Sequence, residues 1–170
     1  MASLALVFVL LTTPGCGYHA AGHSTRLPEN LHVLAIPVFT NTTQTYRIEQ
    51  ILSRQVVREF VGRTHYRVVP QETDAADAKL QGTVLTAVAA PLTYDARTGR
   101  ISSAVVTVTM KITVTDRSGR VLFENQNYTF REQHQVSREV TSFFEEETPA
   151  LDRMSREFAR TLVTDILEAF

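Results

Sequence analysis

The chain carries one cysteine, Cys16, and five histidines, His19, His23, His32, His65 and His134. These residue types most readily ligate metals or serve as nucleophiles and bases. Their placement argues against both roles. A lone cysteine excludes an internal disulfide and a cysteine-rich zinc site. No two histidines have ligand spacing within a helical segment, and His19 and His23 fall in a polar linker. Ser102, Ser103 and Ser137 lack the strand-turn-helix setting of a nucleophile elbow. Asp74 and Asp77 read as loop carboxylates, and Glu145, Glu146 and Glu147 as a solvated helix start, where the helix dipole favours negative charge. There is no glycine-rich phosphate loop. The expectation is a protein without catalytic residues, metal or cofactor.

What Cys16 can do is carry a lipid. Residues 4–11, LALVFVLL, form an apolar run too short to span a bilayer, which takes about 20 residues. The run matches the apolar region of a secretory signal. Gly15 is small and Cys16 follows it directly, so the junction resembles a bacterial lipobox, whose cysteine is acylated and becomes the mature N-terminus. Thr13 stands where such motifs usually carry Leu, and no Lys or Arg precedes the apolar run. Several acyl chains on one cysteine give the stable attachment that a single chain does not. Gly17 after the cysteine, in place of Asp, fits sorting to the outer membrane.

At 170 residues the chain suits one domain with a tail. A net charge of −1, with 21% charged residues, gives no footprint for nucleic acid. The division expected is a signal over 1–15, a lipidated N-terminus and linker over 16–30, and a single α/β sandwich domain over 31–170.

The elements of that domain follow from periodicity. Residues 31–39, LHVLAIPVF, read as a strand with Pro37 at an edge or end. Ile48, Leu52, Val56 and Phe60 recur every four residues and predict a helix stopping near Gly62. A short strand precedes Pro70. Leu80, Gly82, Val84, Val88, Ala90 and Leu92 share one parity, which predicts a strand with those side chains on one face. After DARTG, Val106, Val108, Met110, Ile112 and Val114 alternate with Thr107, Thr109, Lys111, Thr113 and Thr115. That is a strand with one oily face and one hydroxylated face. In the next strand Val121 and Phe123 have odd parity but Tyr128 and Phe130 even, and a bulge near 124–127 would reconcile them; two partly buried faces would serve equally. Thr148 and Pro149 fit the start of a last helix, whose stripe is Leu151, Met154, Phe158, Leu162, Ile166 and Phe170. The order is β-α-β-β-β-β-α, an α+β two-layer sandwich with both amphipathic helices on one face of a mixed, mostly antiparallel sheet. The second face, with Thr107, Thr109, Lys111 and Thr113, must then meet water or a partner.

GCGYHAAG after a short signal, then IPVFTNTTQTYRIEQILSRQVVREF, two long hairpin strands and a C-terminal amphipathic helix, resembles the lipopolysaccharide-assembly lipoprotein family, LptE. The resemblance covers nearly all of the chain from Cys16 onward. It implies a non-enzymatic protein anchored on the periplasmic side of the outer membrane. Such a protein sits as a plug in the barrel protein LptD, assisting its assembly and the export of lipopolysaccharide. The family has a basic residue at the tip between the long central strands. Arg97 in TYDARTGR is the nearest match, one residue further from Tyr94 than in the family pattern, with Arg100 beside it. A stand-alone envelope lipoprotein, acting as a scaffold or a lipid carrier, is the alternative from another class.

Overall fold

The computed structural model describes residues 31–73, 75–135 and 149–169. Cys16, His19, His23, Asp74, Ser137, the Glu145–Glu147 run, Thr148 and Phe170 lie outside the described residues. So do residues 1–30, where the signal and linker are expected.

Eight elements follow in order: β1 (Val33–Ala35), β2 (Thr40–Asn41), α1 (Ile48–Arg63), β3 (Arg67–Val69), β4 (Ala78–Tyr94), β5 (Ile101–Asp116), β6 (Val121–Gln135) and α2 (Pro149–Glu168). The strands form one six-stranded sheet in the order β3-β1-β4-β5-β6, with β2 paired to β4 ahead of β1. The short strands pair in parallel, and β4, β5 and β6 form an antiparallel meander. The expected α+β sandwich with a mixed sheet is present, with the first strand divided at Pro37 into β1 and β2.

The helices cover one face of the sheet. Ile48, Leu52, Val56 and Phe60 of α1 and Leu151, Met154, Phe158, Leu162 and Ile166 of α2 are buried in a single core. They meet Val106, Val108, Met110, Ile112 and Val114 of β5 there. Phe158 stacks edge-on against both Tyr128 (6.1 Å between ring centroids) and Phe130 (5.8 Å), a favoured aromatic geometry.

Helix α1 runs past Gly62 to Arg63, because Thr64 supplies the stop: its N–H and its hydroxyl both donate to Phe60 O. Gly82 has a different task. A Cβ there would come within 2.8 Å of the Phe39 ring, so only glycine lets Phe39 lie against β4.

Two bulges decide which side chains face inward. On β6, Tyr128 pairs with Met110 and Asn125 with Ile112, so Gln126 and Asn127 together oppose Lys111. This is the bulge expected near 124–127, and it returns Tyr128 and Phe130 to the core side. On β4, Val84 pairs with Met110 but Thr86 pairs with Thr109, leaving Leu85 as an extra residue. The single parity expected along β4 is therefore corrected. Leu80, Gly82 and Val84 face inward, and beyond Leu85 the inward positions pass to Ala87 and Ala89. Val88 is exposed as a result, opposite Thr107.

Candidate partner interface

The face of the sheet away from the helices is laid out by the alternation of β5. Thr107, Thr109 and Thr113 are half-buried and Lys111 is exposed, all on the side opposite the core residues Val106 to Val114. The structure brings these four together with residues of both neighbouring strands. Thr109 lies between Thr86 and Thr129, and its hydroxyl is 3.4 Å from that of Thr129. Thr107 pairs with Arg131, Lys111 with Thr83, and Thr113 with Glu124 and Gln81. Lys111 and Arg131 make no ion pair among the described residues. The surface is a ladder of hydroxyls and charged groups. β-Branched Thr suits the strand and keeps a donor and an acceptor at the surface.

Thr86, Thr129 and Arg131 belong to this face and were not singled out from the sequence. Thr129, between the inward Tyr128 and Phe130, was readable by alternation; Thr86 was concealed by the Leu85 bulge.

Arg97 and Arg100 sit at the tip joining β4 to β5, as expected, both exposed. The tip is built on Asp95. Its Oδ1 accepts from the Thr98 N–H (2.7 Å), the Thr98 hydroxyl (2.8 Å) and the Arg97 N–H (3.1 Å). The Thr98 hydroxyl, then the backbone N–H groups of Thr98 and Arg97, hold Asp95 below the usual carboxylate range, so it stays ionised. Gly99 takes φ 68°, a left-handed conformation that glycine adopts without strain. Asp95 is committed to its own loop, and neither guanidinium has a partner among the described residues. Both are open to an anion. They stand about half the length of β5 from the Thr109–Lys111 region, roughly 25 Å at the rise of an extended strand, so tip and face are two surfaces.

At the other end, the Asp77 carboxylate receives the N–H groups of His32 and Val33, each at 2.9 Å, and the Arg117 guanidinium at 3.2 Å. Those two N–H groups, against partial burial and with help from Arg117, lower its pKa. Asp77 thus ties the entry of the chain to the β5–β6 turn.

Open cavities among the described residues include the following two. One, of about 270 Å³, is lined by Leu31, Asp77, Asp116, Arg117 and Arg120 among others. The other, of about 410 Å³, lies between α1 and the start of α2, with Arg54, Arg58 and Asp152 in its lining. Among the described residues no three His, Cys, Asp or Glu side chains gather as metal ligands, and no helix is long and apolar enough to cross a membrane. Histidines His32 and His65 lie far apart in sequence at the ends of short elements.

An α+β sandwich with one helix-covered face, one open polar face and a basic hairpin tip is a binding platform in its geometry. The chain belongs to the lipopolysaccharide-assembly family, LptE, whose sequence model matches residues 31–166. No curated protein matches the sequence. Among solved structures, a hypothetical protein from Chlamydia trachomatis is similar with a TM-score of 0.53 at 10% identity, covering 82% of this chain and 98% of that one. An uncharacterized lipoprotein B from Nitrosomonas europaea is similar with a TM-score of 0.52 at 12% identity, covering 81% of this chain and 83% of that one. At such identities the likeness is one of fold.

Proposed function

We propose that this chain is a non-enzymatic lipoprotein of the outer membrane. In this reading it is anchored on the periplasmic side through an acylated Cys16 and plugs the β-barrel LptD, assisting its assembly and the transfer of lipopolysaccharide to the cell surface. The observation that carries the reading is the two-sided sheet. Both helices lie on one face, and the Thr107, Thr109, Lys111, Thr113 face is open, polar and β-branched. The lumen of a large membrane barrel is polar. A hydroxyl ladder can meet such a wall through a broad, hydrated contact without presenting a large apolar patch to water.

The anchor and the tip support the same arrangement. The first described residue, Leu31, lies beside the β5–β6 turn, whereas Arg97 and Arg100 lie at the opposite end of strands 16 and 17 residues long. At about 3.3 Å per residue the two ends are on the order of 50 Å apart. A tether at Cys16 raises the concentration of the plug near its barrel. The free guanidinium groups at the far end are suited to lipopolysaccharide phosphates, which arginine binds in bidentate fashion.

The test is affinity purification of the lipid-anchored protein from envelopes, with site-specific photocrosslinkers at Thr109 and Arg97. Stoichiometric LptD, a Thr109 crosslink to the barrel and an Arg97 crosslink to lipopolysaccharide are expected. Recovery of the protein without a barrel, and no crosslink from either position, overturns the plug reading. Mass spectrometry of the membrane-derived protein is expected to show an acylated N-terminal Cys16; an unmodified thiol overturns the anchor.

A further inference from the structure

From Val84 to the tip, β4 has an open edge. On its β1 side the strand is covered first by β1, then by β2, and the cover ends at Thr42, whose N–H (3.1 Å) and hydroxyl (2.7 Å) both donate to Val84 O. Beyond that point β4 pairs, among the described residues, only with β5.

Pro91 reveals which backbone groups line the open edge. It pairs with Ala104 of β5 yet has no N–H to give, so its backbone must face away from β5. Alternation turns Ala89 and Ala87, which pair with Val106 and Val108, the same way. The outward carbonyl of Val84 is consistent with this phase across the Leu85 bulge. The N–H and C=O groups of Ala87 and Ala89 and the C=O of Pro91 therefore point out of the sheet without a backbone partner among the described residues.

The terminal strand β6, at one end of the sheet order with β3 at the other, is defended differently. It carries the Gln126–Asn127 bulge and the charged Glu124, Arg131 and Glu132, all devices that discourage pairing. The β4 edge instead bears exposed apolar side chains: Val88 at 54%, Leu92 at 49% and Tyr94 at 61% exposure. On the core side Ala87 and Ala89 are small, which leaves room for bulkier neighbours from an added strand. Where the edge begins, the β2–α1 loop is held in a costly conformation. Arg47 is at φ 55°, the one non-glycine with positive φ among the described residues, and its guanidinium lies 4.7 Å from the centre of the exposed Tyr46 ring. Over Thr40–Arg47 and Leu85–Arg100 together, the charged residues are Arg47, Arg97 and Arg100 against the single Asp95, which its own turn occupies.

We infer that the open β4 edge from Leu85 to Pro91 accepts an extended, acidic segment of a partner polypeptide as an added strand. Backbone hydrogen bonds to Ala87 and Ala89 provide the attachment. Apolar side chains of the guest lie beside Ala87 and Ala89, and its acidic side chains fall on the side of Lys111, between arginines at either end. Pro91 limits the guest to a few residues, since it offers an acceptor and no donor.

The site does not depend on the barrel reading and is tested on the full chain in the absence of any barrel. The probe is a short capped peptide of alternating Glu and Val, and the readout is amide hydrogen exchange. At saturation, exchange at Ala87 and Ala89 is expected to slow by roughly tenfold or more, with outward amides of β6 unchanged. Ala89→Pro, which copies the neighbouring Pro91, keeps the fold and removes the protection at Ala87. Leu92→Ser keeps the backbone edge and serves as a second variant, expected to weaken binding without abolishing it. Three results overturn the inference: no slowing, equal slowing by a Lys-Val peptide, or slowing that follows protein concentration alone, which would mean two copies pairing with each other.

Discussion

The Tyr128 hydroxyl donates a 2.9 Å hydrogen bond to Asp165 Oδ2, tying the middle of β6 to the last turns of α2. Burial first, and then the bond to Asp165 and the charge of that carboxylate, push the Tyr128 pKa well above its ordinary value. Tyr128→Phe is expected to cost on the order of 1 kcal/mol in urea unfolding. The pH dependence has a fixed sign. The unfolded tyrosine ionises near pH 10 and the folded one later, so the contribution is complete below about pH 10 and is lost as pH rises toward the folded value. The alkaline limb of stability should be flatter in Tyr128→Phe.

Phe158 is fully buried beneath Tyr128 and Phe130. Phe158→Ala should lower stability by about 3–5 kcal/mol, since truncation leaves a cavity under two rings. An unchanged unfolding midpoint would contradict the packing of α2 on β6.

Asp77 contributes to the acid limb beside Asp95 and Asp116, whose pKa values are also lowered. Its pKa is lowered, so its contribution is present above the unfolded value near 4 and is lost as pH falls through the folded value. Asp77→Asn keeps an acceptor for the Val33 or His32 N–H but cannot titrate. Its acid-unfolding midpoint should therefore shift less steeply with pH between 5 and 2 than that of the parent, in buffered thermal melts.

Gly82→Val places branched carbon where the Phe39 ring lies. Overpacking of this kind costs about 1–3 kcal/mol. A paired Phe39→Ala change should recover part of the Gly82→Val loss, which a double-mutant cycle would read directly.

Lys111 is exposed on the open face. Lys111→Glu is expected to alter stability by no more than about 0.5 kcal/mol. The same change should reduce recovery of the barrel in pull-downs, because it places a carboxylate in the centre of the proposed contact.

Much of this was legible before any coordinates. The strict alternation of β5 announced both faces of the sheet, and the stripe from Leu151 to Ile166 announced α2. The stretch DARTG stood between the two long strands, and the resemblance to LptE placed Arg97 and Arg100 at the tip that joins them. What was hidden depends on pairing between strands. The Leu85 bulge is set by how β4 registers against β5, so a run of apolar residues at one parity concealed a change of face. The open edge beside Ala87 and Ala89 was hidden for the same reason: it exists only because β2 stops at Asn41. The left-handed Arg47 carries no sequence signal, since nothing in its type favours that conformation.

The order of the elements also has a consequence for how the chain reaches this state. The β4–β5–β6 meander is built from neighbours in sequence and can assemble early, as local contacts do. Its oily face is closed by α2, the last element of the chain. Until the residues of α2 are available, Val106, Val108, Met110 and Ile112 have only α1 to share their core. A nascent or truncated chain ending before Leu151 is therefore a strand-rich, sticky intermediate, and such species aggregate unless a chaperone holds them. Delivery across an aqueous compartment in unfolded form would make that dependence acute.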